Sequence, residues 1–213
     1  MNRLVFALAL AALVPALAQE KKPDSKPDPN AEVKKSLDEK KLTFNFDGTS
    51  LKDAFDFVTD FTGVSVVVDA SAAKAVADAK VTLKKSGVTA GNALDLLDES
   101  AKLAHQVWHG VVLITKKDEK VAEPEIKPTD GLKKVLATKK VTLNFDDTPI
   151  ADVVAFLGDL TGEKFQVDKK VDLKVSLKLK DASVGDAVAI LCRAGNLKVV
   201  AENGENVFKN AKG

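Results

Sequence analysis

One segment of the chain occurs twice, and this duplication constrains the fold more than any other feature of the 213 residues. The stretch from Lys40 to Asp69 aligns without gaps with the stretch from Lys139 to Asp168, and fourteen of the thirty aligned positions are identical. The match resumes at Val81 and Val175, after a five-residue difference in one loop. Two copies this far apart indicate a duplicated small domain, because solenoid repeats recur every ~20–50 residues.

Each copy carries periodic patterns that predict its secondary structure. Leu42, Phe44 and Phe46 alternate with polar residues, and this period of two indicates a half-buried strand. The apolar residues that follow recur at helical spacing, namely Leu51, Ala54, Phe55, Val58 and Phe61. Along the rest of each copy the patterns predict the order β-α-β-β-α-β-β. The expected fold class is therefore α/β (α+β), with two tandem small domains that each pack two helices on small mixed sheets.

The first helix of each copy has recognisable ends. Thr49 and Thr148 are predicted to be the N-caps, because a hydroxyl oxygen accepts hydrogen bonds from the free N–H groups of the first turn. Pro149 fits the first helical position, where a missing N–H costs nothing. Gly63 and Gly162 stand where a left-handed residue ends a helix.

The remaining segments divide the chain. Residues 1–18 are predicted to be a signal peptide cleaved after Ala18, because one basic residue precedes an apolar run that is too short to span a bilayer. The next segment, 19–39, is rich in charge and proline, which predicts a flexible charged leader. Short stretches at 33–37 and 132–136 suit helices. The expected domains are 40–117 and 139–210, joined by a linker over 118–138.

The composition excludes several function classes. A formal net charge of +1 and only two arginines give little attraction for phosphates, so nucleic acid is not an expected partner. One cysteine and two histidines leave few candidates for a nucleophile, a general base or a metal site. Sequence motifs of hydrolases and of nucleotide-binding enzymes are absent. The sequence therefore predicts a protein that is not an enzyme, with no catalytic residue, metal site or cofactor.

The repeated motif resembles a known family. The motif runs from Val141 to Gly162 and continues in the strand at 175–177, the helix at 183–194 and the hairpin near Gly204. It resembles the short N-terminal domain (STN) of secretins and TonB-dependent receptors, and the first copy has the same pattern from Leu42 to Gly63. The resemblance implies a periplasmic module that binds other proteins ahead of an outer-membrane pore or barrel. No pore or barrel domain is expected in this chain, so only the docking role carries over.

A hairpin tip holds the candidate partner-binding residues, Trp108 and His109. A lone tryptophan at such a tip suits an anchor in a partner's surface, although packing on its own domain is the alternative. His105 and His109 are four residues apart, but on a strand this spacing is ~13 Å, which is too far for one metal ion. Cys192 has no partner for an internal disulfide, and it is either a buried inert thiol or one that is reactive or pairs with another chain.

These observations predict an exported, periplasmic protein–protein interaction module. It is expected to dock to a secretin, a TonB-type system or another envelope assembly through sheet edges, because open edges of small sheets accept a peptide strand. The expected partner is a protein of the cell envelope, without direct membrane insertion of the mature chain. The alternative is a periplasmic protein that binds a small ligand or a cell-wall glycan in the cleft between the two domains.

Overall fold

The computed structural model of the chain describes residues 28–211. The predicted signal peptide over residues 1–18, and the predicted leader up to residue 27, lie outside the described residues. Both repeats have the predicted order β-α-β-β-α-β-β, with further elements added to each. The expected fold class is confirmed, because the described residues combine seven helices with several small mixed sheets.

The two repeats differ by a few added elements. The first repeat comprises α1 (Pro29–Glu39), β1 (Lys41–Ser50), α2 (Leu51–Thr62), β2 (Val66–Val68), α3 (Ala73–Asp78), β3 (Lys80–Thr89), α4 (Ala90–Ala101), β4 (Leu103–Trp108) and β5 (Val111–Lys116). The second comprises β6 (Ile126–Lys127), α5 (Asp130–Leu136), β7 (Lys140–Pro149), α6 (Ile150–Thr161), β8 (Phe165–Val167), β9 (Lys174–Ser183), α7 (Val184–Gly195), β10 (Leu197–Glu202) and β11 (Glu205–Asn210). Helix α3 occupies the loop in which the two copies differ in length.

Each repeat contains a two-stranded antiparallel ribbon and a separate small sheet. The ribbons pair β1 with β3 and β7 with β9. The small sheet of the first repeat has the order β2-β5-β4, and that of the second has the order β6-β10-β11-β8. In each small sheet the closing hairpin is antiparallel, and the short strand that follows the first helix joins it in parallel.

The ends of the first helices lie one residue from the predicted caps. Ser50, not Thr49, is the N-cap of α2, and its hydroxyl oxygen accepts a hydrogen bond from the Asp53 N–H. Pro149 is the N-cap of α6 instead of its first residue, and it provides no side-chain bond. The predicted C-terminal ends are confirmed, because the glycine that follows each helix is left-handed, with φ of 70° at Gly63.

Both segments predicted to lie outside the domains contribute to the cores. Helix α1 buries Val33 and Leu37, which pack in the first core. In the linker, α5 buries Leu132, and Ile126 packs against the second core. The prediction of a flexible leader is therefore wrong for residues 29–39, because two apolar side chains one turn apart gain burial against the first repeat.

Alternate side chains of β5 belong to different cores. Val112 and Ile114 pack in the first core, whereas Val111 and Leu113 pack in the second, together with Val67 of β2. The small sheet of the first repeat is thus buried on both faces, with α7 of the second repeat in contact with its outer face. Burial on both faces explains why β5 is a continuous apolar run instead of an alternating one.

Helix α7 is the element that the second repeat presents to this sheet. Its counterpart α4 carries Asp95 and Asp98, where α7 carries Ala189 and Cys192. Six consecutive α7 residues from Ala187 to Cys192 are buried, and a helix that is apolar on all sides needs neighbours on all sides. The junction between the repeats is therefore part of a hydrophobic core.

The thiol of Cys192 is predicted to be inert in the folded protein. The residue is 1% exposed, and burial raises the pKa of its thiol to about 12. Because the thiolate is the reactive form, we expect no reaction with an aromatic disulfide reagent at pH 8 before unfolding, and one equivalent released in guanidinium. Absorbance of the released thiol measures both. Rapid release from the native protein would contradict the buried position.

Candidate functional site

Most of the ion pairs between residues far apart in the sequence lie at the junction between the two repeats. Arg193 of α7 lies 2.6 Å from the Asp69 carboxylate, which follows β2, and 3.4 Å from Glu119 of the linker. The Asp69 side chain is 4% exposed, so this ion pair is largely shielded from water. A backbone bond from Ala70 N–H to the Arg193 carbonyl, at 3.2 Å, joins the same elements.

The predicted partner-binding residues, Trp108 and His109, also lie at this junction. The Trp108 indole donates a hydrogen bond to Glu123 at 3.1 Å, and its ring packs against the core of the second repeat. His109 Nδ1 lies 2.5 Å from Asp186 at the start of α7, and its Nε2 lies 3.1 Å from Glu123. Both side chains therefore have partners within the chain, on the second repeat and on the linker that leads into it.

The charge state of His109 is coupled to this junction. The bond to Asp186 raises the pKa of His109, burial opposes that shift, and Glu123 adds to it. Burial would raise the pKa of Asp186, but its bonds to His109 and Ser183 lower it. Because an imidazolium between two carboxylates is favoured, protonation of His109 stabilises the packed repeats.

Replacing His109 with glutamine is expected to destabilise the protein more at pH 5.5 than at pH 9. A raised pKa in the folded state gives a contribution that is fully present below the unfolded pKa of ~6.5, and it is lost as the pH rises through the folded value. The expected loss at pH 5.5 is about 1–2 kcal/mol in the free energy of unfolding, measured with urea. The matched control is Asn203→Gln at the same hairpin position of the second repeat. Equal losses at both pH values would contradict the assignment.

A cleft of about 760 Å³ runs between the repeats beside His109. One wall comes from the start of α1 and from the end of α2 with the loop that follows it, including Glu32 and Ser65. The other comes from the ribbon of the second repeat, including Lys140 and Asp181, which form an ion pair with each other. The cleft thus combines backbone groups, hydroxyls and charges of both signs.

Several strand edges are open among residues 28–211. Each strand of the two ribbons pairs on one side only, and β4 is the outer strand of its three-stranded sheet. The outer side of β10, which is the counterpart of β4, is covered by the parallel strand β6. Open edges carry unpaired N–H and C=O groups, so they are the places where this fold can accept another strand.

Exposed aromatic side chains occur on the first helix of each repeat, although Phe61 aligns with Leu160 and Phe156 aligns with Phe57. Phe61 of α2 is 51% exposed and stacks on Phe57, which contacts Phe46 edge-on. In the second repeat Phe156 of α6 is 39% exposed and contacts Phe145 in the same way. The two helices therefore present a similar apolar surface beside their ribbons.

The two histidines lie in separate clusters. His105 Nδ1 lies 2.7 Å from Asp98 of α4, whereas His109 bonds to Asp186 and Glu123. Within residues 28–211, no group of three or more His, Cys, Asp or Glu side chains is arranged to hold a metal ion. Over the same range, no helix has the length and apolar character needed to cross a membrane.

Sequence reasoning missed the charged residues of the junction, because their partners lie far along the chain. Asp186 is 77 residues from His109, and no local pattern pairs them. One signal was present: α7 is apolar where its copy α4 is acidic, at Ala189 and Cys192. This difference between the copies marks the helix that a second surface covers.

Comparisons with known proteins assign neither the family nor the site. No protein-family model matches this chain, and no curated protein matches it. The resemblance of the repeats to the STN domain stays a prediction from the sequence.

Proposed function

We propose that this chain is an exported interaction module of the cell envelope, with two STN-like repeats that bind a protein partner through an open sheet edge. The proposal rests on the sequence resemblance and on one structural observation. Within the described residues, the outer edge of β4 is open, while the matching edge of β10 is covered. An edge that pairs in one copy of a fold has the backbone geometry for pairing in the other.

A non-enzymatic role agrees with the way the scarce reactive side chains are used. Both histidines bond to carboxylates, and the thiol of Cys192 is buried inside α7. A nucleophile with an adjacent base is the arrangement that covalent catalysis needs, and these side chains do not form one.

Affinity capture from an envelope extract tests the proposed function. Residues 19–213 are immobilised, and captured proteins are quantified by mass spectrometry with and without excess soluble chain as competitor. We expect at least one envelope protein that is enriched and then displaced by the soluble chain, because a specific surface saturates. The control is the same chain unfolded by heat before immobilisation. If the folded chain captures nothing beyond this control, the docking role is wrong.

A second candidate function is binding of a small ligand or a cell-wall glycan in the cleft. The observation that favours it is the volume of about 760 Å³ between the repeats, with polar groups from both walls. Trp108 stands next to His109, which lines this cleft, so tryptophan fluorescence reports on occupancy. Saturable fluorescence changes with glycan fragments, abolished by a bulky Ser65→Leu substitution but not by the matched exposed Ser86→Leu, support this function. A flat titration with every fragment rejects it for glycans.

A further inference from the structure

The second repeat shows what the edge of this small sheet accepts. Strand β6 lies parallel to β10, with Ile126 opposite Val199, and the Val199 N–H donates to the Glu125 carbonyl at 2.9 Å. Ile126 is half-buried and packs against the second core. The chain thus contains its own example of an extended segment bound to this edge, with one side chain directed to the core.

Among the described residues of the first repeat, no strand pairs with the same edge, although helix α1 contacts β4. In the alignment of the repeats, Asp28 takes the place of Lys127 in β6. Helix α1 begins two aligned positions earlier than α5, so Asp28 is the N-cap of α1 and its carboxylate accepts a bond from the Asn30 N–H at 2.9 Å. The backbone of Asp28 is extended, and the described part of the chain begins with it, so no described residue of the first repeat takes the place of Ile126.

The open edge is lined by different chemistry from its covered counterpart. His105 replaces Val199, and Asp98 replaces Cys192. A surface cavity of about 570 Å³ lies here, lined by β4, by the acids Asp95, Asp98 and Glu99 of α4, and by Lys102 and Lys117. Lys102 and Lys117 lie at one end of this cavity, next to Leu103, where the β4–β5 ladder ends. The acids of α4 and His105 line the rest of the cavity.

Asp98 is the residue whose surroundings indicate that a ligand binds at this edge. Its side chain is 6% exposed, and Oδ2 lies 2.7 Å from His105 Nδ1. Its other oxygen, Oδ1, is buried and has no hydrogen-bond partner among the described residues. A buried acceptor without a donor is costly, so a donor supplied from outside stabilises the complex. Asp95, 3.9 Å from the same histidine nitrogen, adds a second negative charge.

We propose that the β4 edge binds an extended segment of a partner protein, parallel to β4, with a lysine or arginine opposite His105 that donates to Asp98 Oδ1. This inference rests on the proposed docking function and assigns its surface. In parallel pairing, residues directly opposite each other face the same side of the sheet, so the side chain in the place of Ile126 meets the acids of α4. A cation is preferred there because it pairs with the Asp98 carboxylate, which is shielded from water, and lies near the exposed carboxylate of Asp95.

Synthetic peptides test the geometry and the charge separately. The probe is a labelled, capped heptapeptide of alternating threonine and valine with a central lysine, titrated with residues 19–213 by fluorescence anisotropy. Three matched peptides replace the lysine with norleucine, replace it with glutamate, or carry an N-methyl group on the residue after it. In the β6 arrangement, that following N–H is the one that reaches the strand carbonyl, so its methylation blocks the ladder.

The lysine peptide is expected to bind about tenfold or more tightly than the norleucine peptide, which loses one charge-assisted bond. The glutamate and N-methyl peptides are expected to show no saturable binding. Amide shifts in NMR spectra should change at His105 and Gln106 but not at Val199, whose edge is already covered. The Asp98→Asn variant should remove the preference for lysine, and Asp95→Asn should weaken it less. If the Asp98→Asn variant does not fold, the four peptides still test the inference with the unaltered protein.

Two results overturn the inference. One is equal affinity for the lysine and norleucine peptides, and the other is absence of saturable binding by any peptide. The capture experiment separates this failure from failure of the docking function. A captured partner that the lysine peptide does not displace means that docking uses another surface. If nothing is captured but the peptides bind as expected, the β4 edge is a binding site and the proposal of a partner in the cell envelope is wrong.

Discussion

Replacing Arg193 with methionine is expected to lower the free energy of unfolding by about 3–5 kcal/mol, the usual cost of leaving one partner of a buried ion pair alone. The side chains of Arg193 and Asp69 are 18% and 4% exposed, so water cannot solvate the Asp69 carboxylate once its cation is removed. Methionine keeps most of the apolar stem of arginine, which isolates the effect of the charge. Urea denaturation followed by circular dichroism measures the loss.

A second substitution shows whether the charge is the cause. Asp69→Asn keeps an oxygen that can accept the bond from the Ser71 N–H, now made to Asp69 Oδ1 at 2.8 Å, and removes the charge. Combined with Arg193→Met, it should recover part of the lost stability, because no buried carboxylate then lacks its cation. The matched control is Asp168→Asn, since Asp168 makes the same turn in the second repeat with the Lys170 N–H at 2.9 Å. If Arg193→Met costs less than about 1 kcal/mol, the junction does not depend on this pair.

Replacing Leu113 with alanine is expected to cost about 2–5 kcal/mol, although Leu113 lies on the outer face of its own sheet. The side chain is fully buried, and it packs in the core of the second repeat, not the first. The cavity left behind would open at the junction, between β5 and the core of the second repeat. Removing these contacts should also loosen the coupling of the two repeats, so the urea transition is expected to broaden or separate into two steps.

Val207 provides the matched position. It is the counterpart of Leu113 in the second repeat, it is 8% exposed, and it lines a polar surface cavity with Gln166 and Glu205. Because no further repeat covers this face among the described residues, Val207→Ala should cost about 1 kcal/mol or less. Similar losses for Leu113→Ala and Val207→Ala would mean that the repeats do not share a core.

The secondary structure was largely predictable because it follows from local patterns. The period of two in Leu42, Phe44 and Phe46 and the helical spacing after Leu51 both correspond to the observed elements. The errors also have local causes. The cap of α2 is Ser50 and not Thr49, since both hydroxyls suit the role and only the backbone path selects one.

The leader was harder to predict because composition and packing disagree there. Proline, lysine and acids predict an unfolded segment, yet Val33 and Leu37 lie on one face of α1 and reach the first core. Two buried side chains are enough when a preformed surface receives them, and that surface consists of residues far along the chain. A composition average over residues 19–39 hides this pair.

The sequence by itself determined that one small α+β fold is made twice, because periodicity, caps and turn residues act within a few residues of each other. Only the tertiary structure decided how the copies meet. The contact of β2 with α7, the ion pair of Arg193 with Asp69, and the pairing of β6 with β10 all join distant segments. Among residues 28–211, the same contacts decide which strand edges are paired: β6 covers the edge of β10, and no strand pairs with the outer edge of β4. Such long-range contacts depend on the shapes of two finished surfaces, and no local pattern in either segment specifies the other.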